Sequence, residues 1–153
     1  MNRPERILPP YQSSLAGTLL SAREAVMAPL RPVLRDANIT EQQWRVLRVL
    51  AEQTDMDAAA IATTAMLLAP SVTRILRELN ERGLISRQPD AHDGRRTIVS
   101  ITPPGRALLA STAQLTLAVL DDYFAAFGQE RLQALIGELA SFRDSIAHLR
   151  PKE

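Results

Sequence analysis

A mainly α-helical fold with one small β-hairpin is predicted for this 153-residue chain by three observations. Residues 70–82 repeat apolar side chains at helical spacing, Val72, Ile75, Leu76 and Leu79, which gives a short helix with one buried face. Residues 83–102 follow at once and hold two short β-like runs around a polar turn that carries Asp93, Arg95 and Arg96. On either side, residues 1–36 and 103–153 contain long apolar stripes at three- and four-residue steps. A helix able to enter a major groove, followed by an Arg-tipped β-ribbon able to reach the neighbouring minor groove, is the layout of a winged helix-turn-helix. The expected organisation is a single domain over 1–153, with long dimerisation helices at 1–36 and 103–153 flanking a winged helix-turn-helix lobe at 37–102.

Each element has its own local reason. Residues 1–10 contain three prolines and no periodicity, so an extended arm is expected. Leu15, Leu19, Ala22, Val26 and Leu30 then mark a helix with one buried face, and Pro29 and Pro32 predict a kink or pause near residues 28–32. Thr40 followed by Gln43 spells a capping box for a second helix, whose buried stripe is read as Trp44, Leu47, Val49 or Leu50, and Ala51. Asp57 caps a third helix over 58–65, anchored by Ile61. Pro70 fits the first turn of the fourth, which leaves Ser71, Thr73, Arg74, Arg77 and Asn80 on exposed or partly exposed faces. Gly83 supplies the positive φ that ends it, and Gly94 is expected to permit the tight backbone of the turn. Thr97, Val99 and Ile101 alternate with Ile98 and Ser100 as a strand does. Thr102-Pro103 opens a long helix to about Ala126, Gly128 breaks it, and a last helix carries Leu132, Leu135, Ile136, Leu139, Phe142, Ile146 and Leu149 on one stripe.

Composition removes several function classes. No apolar run reaches the roughly 18 residues of a membrane span, and prolines at positions 4, 9 and 10 interrupt any signal-peptide layout, so a cytoplasmic protein without a membrane partner is expected. With no cysteine there are no disulfides, thiolate metal sites or zinc fingers. His92 and His148 are the only histidines, and there is no Gly-rich phosphate loop or serine motif at a strand-to-helix turn, so no catalytic residue and no enzyme are expected. Asp90, His92 and Asp93 read as a solvated turn, so no metal and no cofactor are expected either. The net charge of +1 is unevenly placed: residues 71–102 carry six basic and four acidic groups. Of the 18 basic residues only Lys152 is a lysine, a bias that suits bidentate phosphate and guanine contacts and that a GC-rich genome also produces.

Affinity for DNA comes mainly from phosphate neutralisation and sequence choice from contacts to base edges. Ser71, Thr73 and Arg74 sit in the first turns of the fourth helix, with Arg77 one turn on. The alternative pairs Arg74 with Glu78 and Arg77 with Glu81 as ordinary surface ion pairs. Arg95 is the candidate for the minor groove, whose negative potential attracts arginine, with Arg96 beside it. Asp93 is expected to orient Arg95 or to hold the turn.

Residues 39–51, then Ser71-Val-Thr-Arg74, residues 79–85, Asp93-Gly-Arg-Arg96 and Ile101-Thr-Pro-Pro-Gly-Arg106 together resemble the MarR family of bacterial regulators, from about residue 10 to the end. Within the family, residues 21–27 and 30–32 resemble the subgroup that represses homoprotocatechuate (4-hydroxyphenylacetate) degradation. Gly94 and Ala69 depart from the family pattern, which often has a basic or polar residue at the first position and an Asp or Ser cap at the second. The resemblance implies a dimeric repressor of an aromatic-acid catabolic operon, released from a pseudo-palindromic double-stranded operator by a small aromatic carboxylate.

Leu15, Leu19, Leu135, Leu139, Phe142 and Ile146 are the expected dimerisation residues, packing on a second copy so that two winged lobes address half-sites about 34 Å apart. An aromatic carboxylate needs a cationic fork and a flat apolar wall. Arg23, Met27 and Arg31 share one stripe of the first helix, and Trp44 and Arg48 lie one turn apart on the second. These five are the candidate ligand residues, although Trp44 also suits a core position, Arg23 an acidic partner and Arg45 a pair with Glu41. Two other readings stay open: a regulator of the same family serving a stress or efflux regulon with a different effector or none, and a helical dimerisation scaffold that does not bind DNA.

Overall fold

The computed structural model describes residues 7–149. Residues 7–10 of the expected arm have no regular secondary structure, and its first six residues lie outside the described residues. The elements are α1 (Leu15–Met27), α2 (Leu30–Asp36), α3 (Glu41–Glu52), α4 (Ala58–Ala65), α5 (Ala69–Glu81), β1 (Ile85–Pro89), β2 (Thr97–Ile101), α6 (Pro103–Phe127) and α7 (Gln129–Ile146). The chain divides into two compact units whose boundary falls between Ala113 and Gln114, inside α6. No single helix among the described residues is long and apolar enough to cross a membrane.

Local chemistry explains most of the boundaries in the first unit. The Gln43 amide donates to Thr40 Oγ1 at 3.1 Å and the Thr40 amide donates to Gln43 Oε1 at 3.1 Å, closing the expected capping box of α3. Asp57 Oδ1 accepts from the Ala60 amide at 2.9 Å at the start of α4. Pro70 lies in the first turn of α5, where Leu68 at the N-cap offers no side-chain acceptor. The pause between α1 and α2 falls at residues 28–29, beside Pro29. Gly83 takes φ +66° after α5, and β1 then pairs antiparallel with β2 from Ile85 opposite Ile101 to Pro89 opposite Thr97.

The core of this unit is built where α3, α4 and α5 meet the hairpin. Leu47, Leu50, Ile61, Val72, Ile75, Leu76, Leu79, Val99 and Ile101 form one buried cluster. Leu34, Ile39 and Trp44 form a second, against which Met27 packs, and Leu108 and Leu109 of α6 touch both. The inward face of α5 consists of the four residues expected, and Ile61 anchors α4.

Three expectations need correction. The buried arc of α3 comprises Gln43, Trp44, Val46, Leu47 and Leu50, while Val49 and Ala51 sit at its edge. That arc is wider than one stripe because Trp44 serves the second cluster while Val46, Leu47 and Leu50 serve the first. In α1 only Gly17 is buried; Leu15, Leu19 and Val26 are exposed within the chain. Gly17 is covered by the turn at Tyr11, whose carbonyl oxygen lies 2.0 Å from where a Cβ would stand. Gly94 does not take a positive φ, and a Cβ there would meet nothing within 4 Å, so the turn does not require glycine.

The second unit consists of the remainder of α6 with α7. Gly128, at φ +94°, separates the two helices, and the Arg131 guanidinium stacks 4.2 Å from the centre of the Phe127 ring. Leu135, Ile136, Leu139, Phe142 and Ile146 are all exposed within one chain, and α7 has no buried residue.

Candidate nucleic-acid interface

Met66, in the left-handed region at φ 53°, ends α4, and the chain bends by 109° between α4 and α5. That angle lies within the range of a helix-turn-helix. Burial of Val72, Ile75, Leu76 and Leu79 turns the opposite face of α5 outward: Thr73, Arg74 and Arg77 are exposed and Ser71 is half-buried. Thr73 donates its hydroxyl to the Ala69 carbonyl at 3.2 Å. Arg74 pairs with Glu78 at 2.8 Å, whereas Arg77 has no ion-pair partner among the described residues.

Hydrogen bonds within the turn shape the wing. Asp93 Oδ1 accepts from the Arg95 amide at 3.1 Å, and the Asp93 carbonyl accepts from the Arg96 amide at 2.9 Å. Asp93 therefore holds the turn backbone. The Arg95 guanidinium has no side-chain partner among the described residues and is exposed at the tip. Arg96 is held differently: its Nε and Nη2 donate to Asp57 Oδ2 at 3.1 and 2.8 Å, and its Nη1 lies 3.6 Å from Asp90 Oδ2.

Asp57 thus has two jobs, capping α4 through one oxygen and tying the wing down through the other. Sequence reasoning found the first, but a contact across 39 positions leaves no local signal. The Ala60 amide first, and then the Arg96 guanidinium, hold the Asp57 carboxyl below its ordinary value. A lowered folded-state value means that this stabilisation is present above the unfolded value of about 3.9 and is lost as pH falls through the folded one. Asp57→Asn, which keeps a capping oxygen but loses the charge, is expected to weaken DNA binding a few-fold with a small change in melting temperature. Asp57→Ala is expected to lower both further. Anisotropy with a duplex and thermal unfolding check the two effects.

The candidate ligand residues fall into four places. Met27 packs against the cluster that holds Trp44, itself 7% exposed. Arg23 pairs with Glu41, and Arg48 lies 3.7 Å from Glu52 on the outer face of α3. Arg31 grips Glu24 through two bonds, one of 2.7 Å, and lines a cavity of about 610 Å³ with Leu34, Arg35, Ile39, Gln43, Glu78 and Arg82. None of the other four candidates lines that cavity. The expected Arg45–Glu41 pair is present at 3.9 Å, and Arg45 also donates to the Ala65 carbonyl at 3.0 Å, a contact the sequence did not suggest. Burial, with Arg23 nearby, pushes the Arg45 guanidinium down from its ordinary value. Among the described residues no group of three His, Asp or Glu is placed to hold a metal ion.

A bent helix pair with arginines on the outer face of its second helix, backed by a hairpin with an exposed arginine at its tip, defines a winged helix-turn-helix DNA-binding protein. Residues 39–97 match the model of the MarR family. Over 129 residues the chain is 38% identical to the homoprotocatechuate degradative operon repressor of Escherichia coli, covering 84% of this chain and 87% of that protein. It belongs to the MarR family of transcriptional regulators and is not an enzyme. Solved structures that share its fold include two with a bound partner. NadR in complex with 4-hydroxyphenylacetate gives a TM-score of 0.77 at 34% identity, over 90% of this chain and 97% of that one. The repressor CouR bound to a 23-mer DNA duplex gives 0.80 at 27% identity, over 90% and 98%.

Proposed function

We propose that this chain is a cytoplasmic, dimeric, ligand-responsive repressor of an aromatic-acid catabolic operon. The observation that carries the DNA part is the exposed Arg95 guanidinium at the wing tip, without a side-chain partner among the described residues, on the same unit as the exposed Arg74 and Arg77 of α5. Ser71, Thr73, Arg74 and Arg77 address the major groove, Arg95 the minor groove, and Asp93 and Arg96 hold the wing that carries it. Likeness to a repressor bound to a DNA duplex supports this. The exposed apolar stripes of α1, with Leu15 and Leu19, and of α7, with Leu135, Leu139, Phe142 and Ile146, are the surfaces a second copy covers. In this reading residues 1–36 and 103–153 make the dimer and 37–102 the DNA-binding lobe of one domain.

The effector is a small aromatic carboxylate; of the five candidates Arg31, which lines the cavity, is the one able to meet its carboxylate there, while Arg23, Met27, Trp44 and Arg48 do not line that cavity. The role of the Escherichia coli relative and the ligand in the NadR complex support that class. Binding shifts the lobe spacing that the operator requires and so releases the protein. Fluorescence-anisotropy titration of the protein–operator complex with 4-hydroxyphenylacetate and 3,4-dihydroxyphenylacetate is expected to release the DNA. If no aromatic acid changes the affinity, the effector reading fails and a regulator of another regulon is left. Absence of salt-dependent duplex binding leaves only a scaffold.

A further inference from the structure

Gln43 stands at the third position of α3, where its side chain closes the capping box by accepting from the Thr40 amide. Its Nε2 points the other way and donates to Glu78 Oε2 on α5 at 2.9 Å. The second oxygen of Glu78 accepts from Arg74 Nη1 at 2.8 Å. Thr40, Gln43, Glu78 and Arg74 therefore form one hydrogen-bonded chain from the start of α3 to the outer face of α5. Gln43 is only 6% exposed, so breaking its bond to Glu78 leaves a buried donor unpaired.

Two features separate this from an ordinary surface ion pair. An arginine four residues before a glutamate is the weaker helical order, and exposed pairs restrain long side chains poorly. Here the glutamate is clamped from its far side by a buried amide on another helix. Further, a capping box accepts either Glu or Gln at this position. Only Gln has a donor left for Glu78; a Glu would set two carboxylates against each other. The choice of Gln at 43 therefore answers to α5 rather than to the cap of α3. The Arg74 hydrogen bond, with that of Gln43 adding to it, holds the Glu78 carboxyl below its ordinary range, so the chain is ionised at neutral pH.

We propose that Gln43 and Glu78 are positioning residues that fix the Arg74 fork for a base edge, so that α3 sets how sharply the operator is read at that one position. This rests on the reading of Arg74 as a DNA contact. An arginine with its rotamers already restricted loses less freedom on binding, and one donor given to Glu78 leaves enough for a bidentate contact to guanine.

Selection of binding sites from a random duplex pool by the full chain, followed by anisotropy on the selected duplex and its single-base variants, tests it. Arg74→Ala is expected to erase the preference at one base position per half-site. Gln43→Glu, which keeps the cap, and Glu78→Gln are each expected to lower the preference at that same position about five- to tenfold and to leave the other positions unchanged. Should Gln43→Glu fail to fold, Glu78→Gln carries the test. Wild-type discrimination in the folded variants overturns the proposal, as does an equal loss at all positions, which marks a merely structural role. If Arg74→Ala erases no preference, the underlying contact is wrong instead, and the two failures are told apart.

Discussion

Arg95→Ala is expected to weaken duplex binding at least tenfold and to lower the slope of log affinity against log salt by about one for each Arg95 engaged. The size follows from its surroundings. Arg95 is exposed and its guanidinium has no side-chain partner among the described residues, so no internal contact is lost when it is removed and the fold should be untouched. Each phosphate neutralised, or each arginine drawn into a narrow minor groove, releases counterions, and that release appears in the slope. Arg96 is the internal control. It is tied to Asp57, so Arg96→Ala should act by loosening the wing and should lower affinity with less change in slope. An unchanged slope and affinity for Arg95→Ala, measured by anisotropy across a salt series, would remove the wing from the interface.

Gly105→Ala is expected to destabilise the fold by about 3 kcal/mol, at the upper end for an overpacked site, and to lower the melting temperature by several degrees. A Cβ at 105 would stand 2.1 Å from the Leu84 carbonyl oxygen and 2.8 Å from Ile101 Cγ1. The first neighbour is backbone and cannot rotate away. It is also pinned, because Leu84 O accepts from the Thr102 amide at 3.1 Å and the Thr102 hydroxyl donates to the Gly83 carbonyl at 2.6 Å. The start of α6 is therefore fastened to the chain entering β1 at a point where only a hydrogen fits. Gly94→Ala makes the comparison: with open space and no positive φ, it should change stability by less than about 0.5 kcal/mol. Equal melting temperatures for Gly105→Ala and wild type in a thermal scan would contradict the tight contact.

These two glycines show where sequence reasoning stops. Gly94 sits in an evident turn and reads as the glycine that matters, yet its backbone is one that any residue adopts. Gly105 sits inside a helix, yet it is the one whose buried neighbour Leu84 leaves no room for a Cβ. No pattern within a few residues separates the two, because the atom that decides belongs to Leu84.

The helices, the pause at Pro29, the caps at Thr40 and Asp57 and the inward face of α5 were legible because each is set by interactions spanning one to four residues, which the order of residues contains directly. Which polar side chains far apart in the chain meet was decided only in three dimensions. Arg23 with Glu41, Gln43 with Glu78 and Asp57 with Arg96 are 18, 35 and 39 positions apart. The chain lists these side chains, but only tertiary packing brings the partners within hydrogen-bonding distance: α3, α4 and α5 against the hairpin for the last two pairs, and Met27 of α1 on the Leu34, Ile39 and Trp44 cluster for the first. The exposed stripes of α1 and α7 follow the same logic: periodicity marked them as apolar faces, and what covers such a face depends on the surface available to it.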